Sequence, residues 1–512
     1  MGGVVDALTH LAGGFGIALQ PLNLLLAFAG VFVGTFVGML PGIGPINAIA
    51  ILIPITFATG LSPASALILM AGIYYGSQYG NSISTILLNV PGTASAVVTA
   101  LDGHAMTRAG RGGPALAMAA IASFAGGTVS IFFLVFFAPL LAEWAIRFGP
   151  AEYFALMVFA FAALSSLAGG SLVKGLAATA LGLLLATVGL DPNSAIPRYT
   201  FGQIKLLDGM DFVVVTIGLF AVSEVLQLLE ETERGQAVTR GFGRVMVTLR
   251  ELLTSLGAMV RGSVLGFLVG VLPGAGGTIA SFLAYSTEQR VSDRTGTFGK
   301  GDIRGVAAPE AANNAAANGA MIPLLTLGVP GSGTTAVLLG ALLGLGVTPG
   351  PLLITEEPDL FWGLAASMYV GNVFLLLLNL PLVGLFVRAL TLPRWFLLPG
   401  VAALSFVAVY AVNQSPFDLV LMTGFGVAGY FLRRTGVPLA PIILGLVLGP
   451  LMEKSLRRAM SLSGGEWEIL FSSPIAVTLW LLAAASLVGP PLLARRIRTR
   501  AAASTPTRTP PG

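Results

Sequence analysis

Apolar residues in this chain are gathered into long runs, and the interruptions between them are short. Runs at about 17–40, 45–59, 64–90, 93–102, 114–142, 151–168, 171–190 and 211–229 fill the first half. Runs at about 254–272, 276–289, 306–329, 333–347, 360–390, 397–412, 416–432, 438–452 and 473–494 fill the second. A helix needs roughly 20 apolar residues to cross a bilayer, so the pattern predicts an all-α polytopic membrane protein with about ten to fourteen membrane segments. Several runs are too short to cross. Pro-Gly pairs cut them, and broken backbone at membrane depth must line a polar cavity or be buried in protein, because lipid satisfies no N–H or C=O group.

The breaks recur in order. Gly34 to Gly44 reads GTFVGMLPGIG and Gly266 to Gly276 reads GFLVGVLPGAG, sharing seven of eleven positions. Gly80 to Val98 (GNSISTILLNVPGTASAVV) then aligns with Gly319 to Val337 (GAMIPLLTLGVPGSGTTAV) around a shared VPG. The chain is a duplicated unit, and Gly/Pro breaks at matching places in two hydrophobic halves point to a secondary transporter with its site at the breaks. Charge suggests how the copies are oriented. After the first break the second copy carries Arg290, Arg294, Lys300 and Arg304, where the first has the uncharged TGLSP. After the second break the bias reverses, with Arg108 and Arg111 in the first copy and the acidic TPGPLLITEEPD in the second. Positive charge marks the cytoplasmic side, so two inverted repeats with re-entrant or broken helices at the PG motifs are expected. Their tips meet near the midplane and aim helix N-termini, which favour carboxylates, at one cavity.

Residues 1–229 form the first membrane repeat and 254–494 the second with C-terminal helices. The four-arginine stretch within 230–253 reads as a cytoplasmic basic linker, and 495–512, basic and then Pro/Thr-rich, as a disordered cytoplasmic tail. The first 107 residues hold no Lys or Arg, so no cleavable signal peptide is recognisable and the mature chain is expected to keep its N-terminus.

Candidate substrate and ion contacts lie at the turns and on the polar residues around them. In the first copy these are Pro41, Gly42, Gly44, Asn47, Tyr79, Asn81, Ser82, Ser84, Pro91, Gly92, Thr93 and Ser95. In the second they are Pro273, Gly274, Gly276, Thr278, Asn313, Asn314, Asn318, Pro330, Gly331, Ser332, Gly333, Thr334 and Thr335. Hydroxyls and amides can bind an anion and release it, while unwound carbonyls near the turns could coordinate Na+. The same residue types also pack membrane helices. Lys174, Glu224, Glu288 and Glu310 fall near segment ends, where an interfacial position is expected, although an intramembrane acid is by default a functional candidate.

Composition then removes alternatives. Hydrophobic residues make up 55% and charged residues 10%, and the net charge of +4 sits in loops as a topology signal with no nucleic-acid role. Without cysteine, and with only His10 and His104, both expected in loops, the chain lacks the parts of a thiol or Ser-His nucleophile or a zinc site. No phosphate-binding loop is present. No enzyme, metal centre or cofactor is expected. A passive anion channel, or a carrier for another small organic solute, is the alternative function.

The stretches GMLPGIGPINAIAILIP, AGIYYGSQYGNSISTILLNVPGTASAVVTALDGHAM, GVLPGAGGTIASFLAY and FGKGDIRGVAAPEAANNAAANGAMIPLLTLGVPGSGTTAVLLGALLGLGVTPGPL closely resemble the large membrane subunit of the tripartite tricarboxylate transporters, over about residues 20–440. The resemblance implies a multi-pass permease of the bacterial inner membrane, in contact with its lipids, that takes up citrate-like carboxylates coupled to Na+ or H+. It implies a small membrane subunit and a periplasmic solute-binding protein as partners, and a homo-oligomer is compatible with it.

Overall fold

The computed structural model describes residues 2–40, 44–167, 171–230, 243–274, 276–389 and 394–503. The first half runs α1 (Gly2–Ala18), α2 (Pro21–Met39), α3 (Gly44–Ala58), α4 (Pro63–Leu88), α5 (Val97–Arg108), α6 (Gly112–Ala145), α7 (Pro150–Leu167) and α8 (Leu172–Ala186). An antiparallel ribbon, β1 (Gly189–Leu190) with β2 (Pro197–Arg198), follows. Then α9 (Phe212–Ile217) and α10 (Ser223–Glu230) join through a π-helical turn at Gly218–Val222 into one span, Phe212–Glu230. The second half runs α11 (Leu249–Val271), α12 (Gly276–Ser292), α13 (Arg304–Gly319), α14 (Met321–Leu327), α15 (Gly333–Gly344), α16 (Leu353–Glu356), α17 (Pro358–Asn379), α18 (Val383–Ala389), α19 (Arg394–Asn413), α20 (Pro416–Arg434), α21 (Ala440–Leu462) and α22 (Pro474–Ala503). Among the described residues α2, α6, the Phe212–Glu230 span, α11 and α17 are long and apolar enough to cross a membrane. Leu22, Leu25 and Phe28 on α2, Phe132, Phe137 and Leu140 on α6, and Val260 and Leu268 on α11 are exposed. Apolar faces of that extent need lipid or protein to cover them, and the chain is a multi-pass membrane protein.

Glycine spacing sets the closest packing. Gly30, Gly34 and Gly38 share one face of α2, and a Cβ on each would lie 2.5, 2.5 and 2.3 Å from the carbonyl oxygens of Leu69, Ile73 and Ser77 on α4. Gly262, Gly266 and Gly270 do the same on α11, at 2.4, 2.3 and 2.4 Å from the oxygens of Ala308, Ala312 and Ala316 on α13. These partners are the residues that the sequence alignment makes equivalent. Gly80 and Gly319 return the contact, each backing onto an aligned residue of the glycine helix, Thr35 and Phe267. Only hydrogen in place of a side chain lets two helix backbones approach this closely.

The helix ends match too. Leu40 and Leu272 leave α2 and α11 in extended conformation, their N–H groups on Val37 and Val269. Asn89 after α4 (φ 58°) and Gly328 after α14 (φ 68°) both turn left-handed, a conformation Asn and Gly tolerate best. Beyond each break the short helices cross over. α3 packs on α15, with Ile46 against Gly333 and the Phe57 ring against Gly344. α12 packs on α5, with Gly277 close to Ser95, and Tyr285 donating to Asp102 at 2.8 Å. Backbone N–H groups of Gly299, Gly301 and Asp302 also donate to the buried Asp102 carboxylate, at 3.0, 2.8 and 2.8 Å. The α3/α15 pair lies beside Phe212, whose ring abuts Gly340. The α5/α12 pair lies toward the start of α11, where Arg111, just beyond α5, pairs with Glu251.

The remaining helices brace this centre. α6 packs on α13 and α11, and α17 packs on α1, α4 and α6, while α7, α8, α21 and α22 form a second group. Outside the spans, Asp191 takes the N–H groups of Ser194 and Asn193 and the Arg457 guanidinium, which hold its carboxyl down at about 2. Arg457 and Arg198 share Glu453, so the ribbon is pinned to α21.

Several sequence expectations need correction. α1 precedes the first run and docks on α17, His10 stacking on Trp362 at 5.5 Å, and His104 lies in α5, so neither histidine is in a loop. The run at 93–102 becomes a 3₁₀ turn and then α5, which reaches Arg108. The run at 360–390 divides between α17 and α18 around Pro381, whose ring nitrogen has no hydrogen to donate to a helix ladder. α11 begins at Leu249, inside the 230–253 linker, because Thr248 and Glu251 form a capping box. α22 continues to Ala503, past the 494 boundary of the expected tail. The linker residues 231–242 and the tail residues 504–512 lie outside the described residues.

Candidate functional site

All four breaks open into one cavity of about 750 Å³, within the size range of small-molecule sites. Gly44 to Asn47 bring the start of α3, Thr93 to Ser95 the turn leading into α5, Gly276 to Thr278 the start of α12, and Ser332 to Thr334 the start of α15. Gly44 and Gly276 adopt φ of 63° and 58°, which lets the chain turn sharply into each helix. The first N–H groups of a helix have no intrahelical acceptor and carry its positive dipole end. Four such ends around one cavity make an environment for anions.

The walls between the helix starts are polar. Tyr74 and Gln78 of α4 face the cavity, as do their repeat equivalents Asn313 and Ala317 of α13. The Tyr74 and Ser332 hydroxyls lie 3.3 Å apart, joining the two copies across the cavity. Asn313 is 1% exposed and neither its Oδ1 nor its Nδ2 has a partner. The Gln78 Oε1 is likewise unpartnered. Buried amides without partners are costly and are suited to a ligand that supplies both donor and acceptor. Glu224 and Gln227 on α10, Arg433 at the end of α20 and the 436–440 segment close the wall. Arg433 is the single cation of the lining among the described residues, and its guanidinium is paired with Glu224. The π-helical turn ends just before Glu224 and shifts the register of that span. Such a turn inserts one extra residue and re-aims the side chains beyond it.

Of the sequence candidates, Gly44, Asn47, Thr93, Ser95, Gly274, Gly276, Thr278, Asn313, Ser332, Gly333 and Thr334 line the cavity. Others stand behind the lining and hold it. Asn81 donates to Thr93 at 2.8 Å, and Thr335 completes a capping box with Ser332. Gly92 and Gly331 let their breaks lie on the backbones of Gly38 and Gly270, and the Gly331 carbonyl accepts the Gly274 N–H at 3.0 Å. Pro91, Pro273 and Pro330 belong to the same turns without lining the cavity. Tyr79 donates to Asn372 and Asn318 to Ser130, which is helix packing, while Ser84 bonds back to the Asn81 carbonyl and Asn314 to the Glu310 carbonyl within their own helices. Ser82 bonds the Glu310 carboxylate. Pro41 and Gly42 lie outside the described residues.

The ionisable residues expected near segment ends divide. Lys174 is exposed and reaches the Thr435 carbonyl, whereas Glu224, Glu288 and Glu310 are buried. Glu288 is held by a bidentate Arg261 at 2.8 Å. Sequence reading missed Tyr74, Gln78, Gln227 and Arg433. Tyr74 could have been found by carrying the repeat alignment back from Asn313. Nothing in the sequence joins Arg433 to a glutamate some two hundred positions earlier.

The family profile described as "Tripartite tricarboxylate transporter TctA family" matches residues 24–444. An Agrobacterium vitis protein described as an uncharacterized 52.8 kDa protein in the TAR-I ttuC' 3' region is 44% identical over 485 residues, covering 95% of this chain and 96% of its own. A second Agrobacterium vitis protein, uncharacterized and in the TAR-II ttuC' 3' region, is 49% identical over 214 residues, 42% of this chain and 88% of its own. No solved structure matches.

Proposed function

This chain belongs to the tripartite tricarboxylate transporter TctA family, and from that premise we propose that it is the permease subunit through which a bacterial inner membrane imports citrate-like di- and tricarboxylates. A small membrane subunit and a periplasmic solute-binding protein work with it, and a Na+ or H+ gradient drives accumulation. The observation that carries this reading is the convergence of four helix starts, two from each copy, on a cavity that Arg433 also lines. Helix starts and a guanidinium recognise carboxylates through the same chemistry, N–H donors under positive potential.

The two copies are inverted in this reading. Its support is that α3 and α12, equivalent in sequence, leave the cavity with different partners, α3 with α15 toward Phe212 and α12 with α5 toward Arg111 and Glu251, and that basic residues end and follow α12 where none follow α3. Alternating access follows if one crossed pair parts while the other stays closed. Substrate meets N–H donors from both copies throughout, and the mouth changes sides.

The test is uptake of labelled citrate and a panel of other carboxylates by cells lacking their own carriers, expressing the chain with and without its two partners, in sodium and sodium-free buffer. Saturable uptake that needs all three parts and collapses with the ion gradient is expected. Assembled complexes that move no carboxylate, or whose flux never saturates, would overturn the proposal.

A further inference from the structure

One carboxylate outside the cavity has no counter-ion among the described residues. Glu310 sits within α13 and is 0% exposed. Its oxygens accept from Ser82 of α4 at 2.6 Å, Thr99 of α5 at 2.7 Å and Ser123 of α6 at 3.3 Å, all hydroxyls. Most titratable and charged groups on the helices packed against α13 are occupied elsewhere; Arg108, Arg250 and Arg290 lie in the end turns of α5, α11 and α12, and the unpartnered Tyr75 hydroxyl of α4 lies beside Gly371 of α17. Tyr79 of α4 donates to Asn372, and Asp102 of α5 takes Tyr285 of α12 and backbone N–H groups. His104 of α5 meets the Ile86 carbonyl, Arg261 of α11 is bidentate to Glu288 of α12, and Glu251 of α11 pairs with Arg111. α14 carries no charged residue, and the one on α6, Glu143, is near its far end. A carboxylate ionised in such a place would lack the compensation that buried charge requires.

Resting on the transporter reading above, we propose that Glu310 is the coupling site and that the coupling ion is a proton. The carboxyl O–H forms when Glu310 takes a proton from the side on which substrate enters. It breaks when that proton leaves on the opposite side, and the net event is transfer of one H+ with the substrate. The three hydroxyls can each donate or accept, so they satisfy the carboxyl in both states. Beside two of them, Ser82 and Ser123, lies a cavity of about 10 Å³, close to the space one water occupies and a first step in a proton path.

The surroundings tie Glu310 to the substrate cavity. Asn313, with its unpartnered amide in the cavity, lies one turn along the same face of α13. Asn81, adjacent to Ser82, holds Thr93 at the cavity rim, and Thr99 belongs to the helix that Thr93–Ser95 starts. Protonation at Glu310 and the position of the α5 start are therefore set by the same three helices.

The test uses the complete complex in proteoliposomes, with labelled citrate or whichever panel carboxylate the wild type accumulates. Glu310→Gln keeps the shape and fixes the neutral form. It is expected to retain substrate counterflow while losing accumulation driven by an imposed pH gradient. A purely structural glutamate would leave both readouts at wild-type levels in this variant, and that result overturns the proposal. Should the variant not fold, a pH dye inside wild-type vesicles gives the answer: internal acidification that accompanies substrate entry supports the proposal, and accumulation driven by a sodium gradient with no proton movement overturns it. A wild type that transports no carboxylate removes the transporter reading and this inference together, whereas active wild type with an unaltered Gln variant removes this inference alone.

Discussion

Replacing Gly38 or Gly270 with alanine tests the duplicated packing directly. A Cβ at these positions would lie 2.3 Å from the Ser77 oxygen and 2.4 Å from the Ala316 oxygen, and 2.6 Å from the Cα in both cases. Carbon and oxygen pack no closer than about 3.3 Å, so each helix pair must open by close to 1 Å. The obstacle is backbone on both sides and cannot rotate away. Overpacking of this kind costs about 1–3 kcal/mol, and the rigid partner puts these sites near the upper end, about 2–3 kcal/mol. Alanine otherwise favours a helix over glycine by roughly 0.5–1 kcal/mol. The control variants Gly13→Ala and Gly16→Ala in α1, where nothing lies within 4 Å of the new Cβ, should therefore be neutral or stabilising. The assay is the thermal unfolding midpoint of the purified protein in detergent, beside carboxylate uptake in cells. Gly38→Ala and Gly270→Ala should both lower the midpoint by similar amounts while the controls do not. If both behave like the controls, the close approach is not rigid; if only one falls, the two copies are not held together in the same way.

Four further outcomes follow from the same geometry. Arg433→Gln removes the only cation of the cavity wall among the described residues, and hydrogen bonds to a charged group are worth about 1.5–3 kcal/mol, so the uptake KM should rise by roughly 10- to 100-fold with the chain still inserted. Asn313→Ala should raise KM by about fivefold for one neutral hydrogen bond yet leave the thermal midpoint unchanged or higher, because its amide has no protein partner to orphan. Asp102→Asn deprives the backbone donors of Gly299, Gly301 and Asp302 of a charged acceptor and should cost about 1–3 kcal/mol, visible as a lower midpoint and faster proteolysis in the 293–303 loop. Asp191 has its carboxyl lowered from 3.8 to about 2, so its contribution is present above the ordinary carboxyl value and is lost as pH falls through the native one. Asp191→Asn should flatten the acid end of the stability profile between those two values.

Much of the site was legible because glycine and proline leave few alternatives at membrane depth. The LPGxG and VPG motifs located all four helix starts, and the aligned pairs Gly44 with Gly276 and Thr93 with Ser332 all line the cavity. The polar residues were harder to sort. Asn81, Ser82 and Thr93 look alike in sequence, yet one helix turn decides whether an amide faces the cavity or a neighbouring helix. Arg433 and Glu224 meet only through the packing of α20 on the π-helical turn, a tertiary contact with no local signature. α1 was overlooked because it precedes the first long apolar run and breaks its own apolar residues with five glycines, Asp6 and His10, so its helicity depends on the Trp362 surface it covers.

The crossing of short helices between copies also bears on how the chain is made. α3 and α5 emerge from the ribosome with the first copy, but their packing partners, α15 and α12, are translated more than a hundred residues later. Until then the first copy holds two half-helices, packed on α4 and on α2 or α6, whose starts expose unsatisfied N–H groups and whose partners from the second copy do not yet exist. Neither copy can complete its own interior, so the first must wait in the membrane in an unfinished state, sheltered by lipid, by the insertion machinery or by another chain. A single copy would have to find the equivalents of α12 and α15 in a second molecule, because the cavity takes two helix starts from each copy.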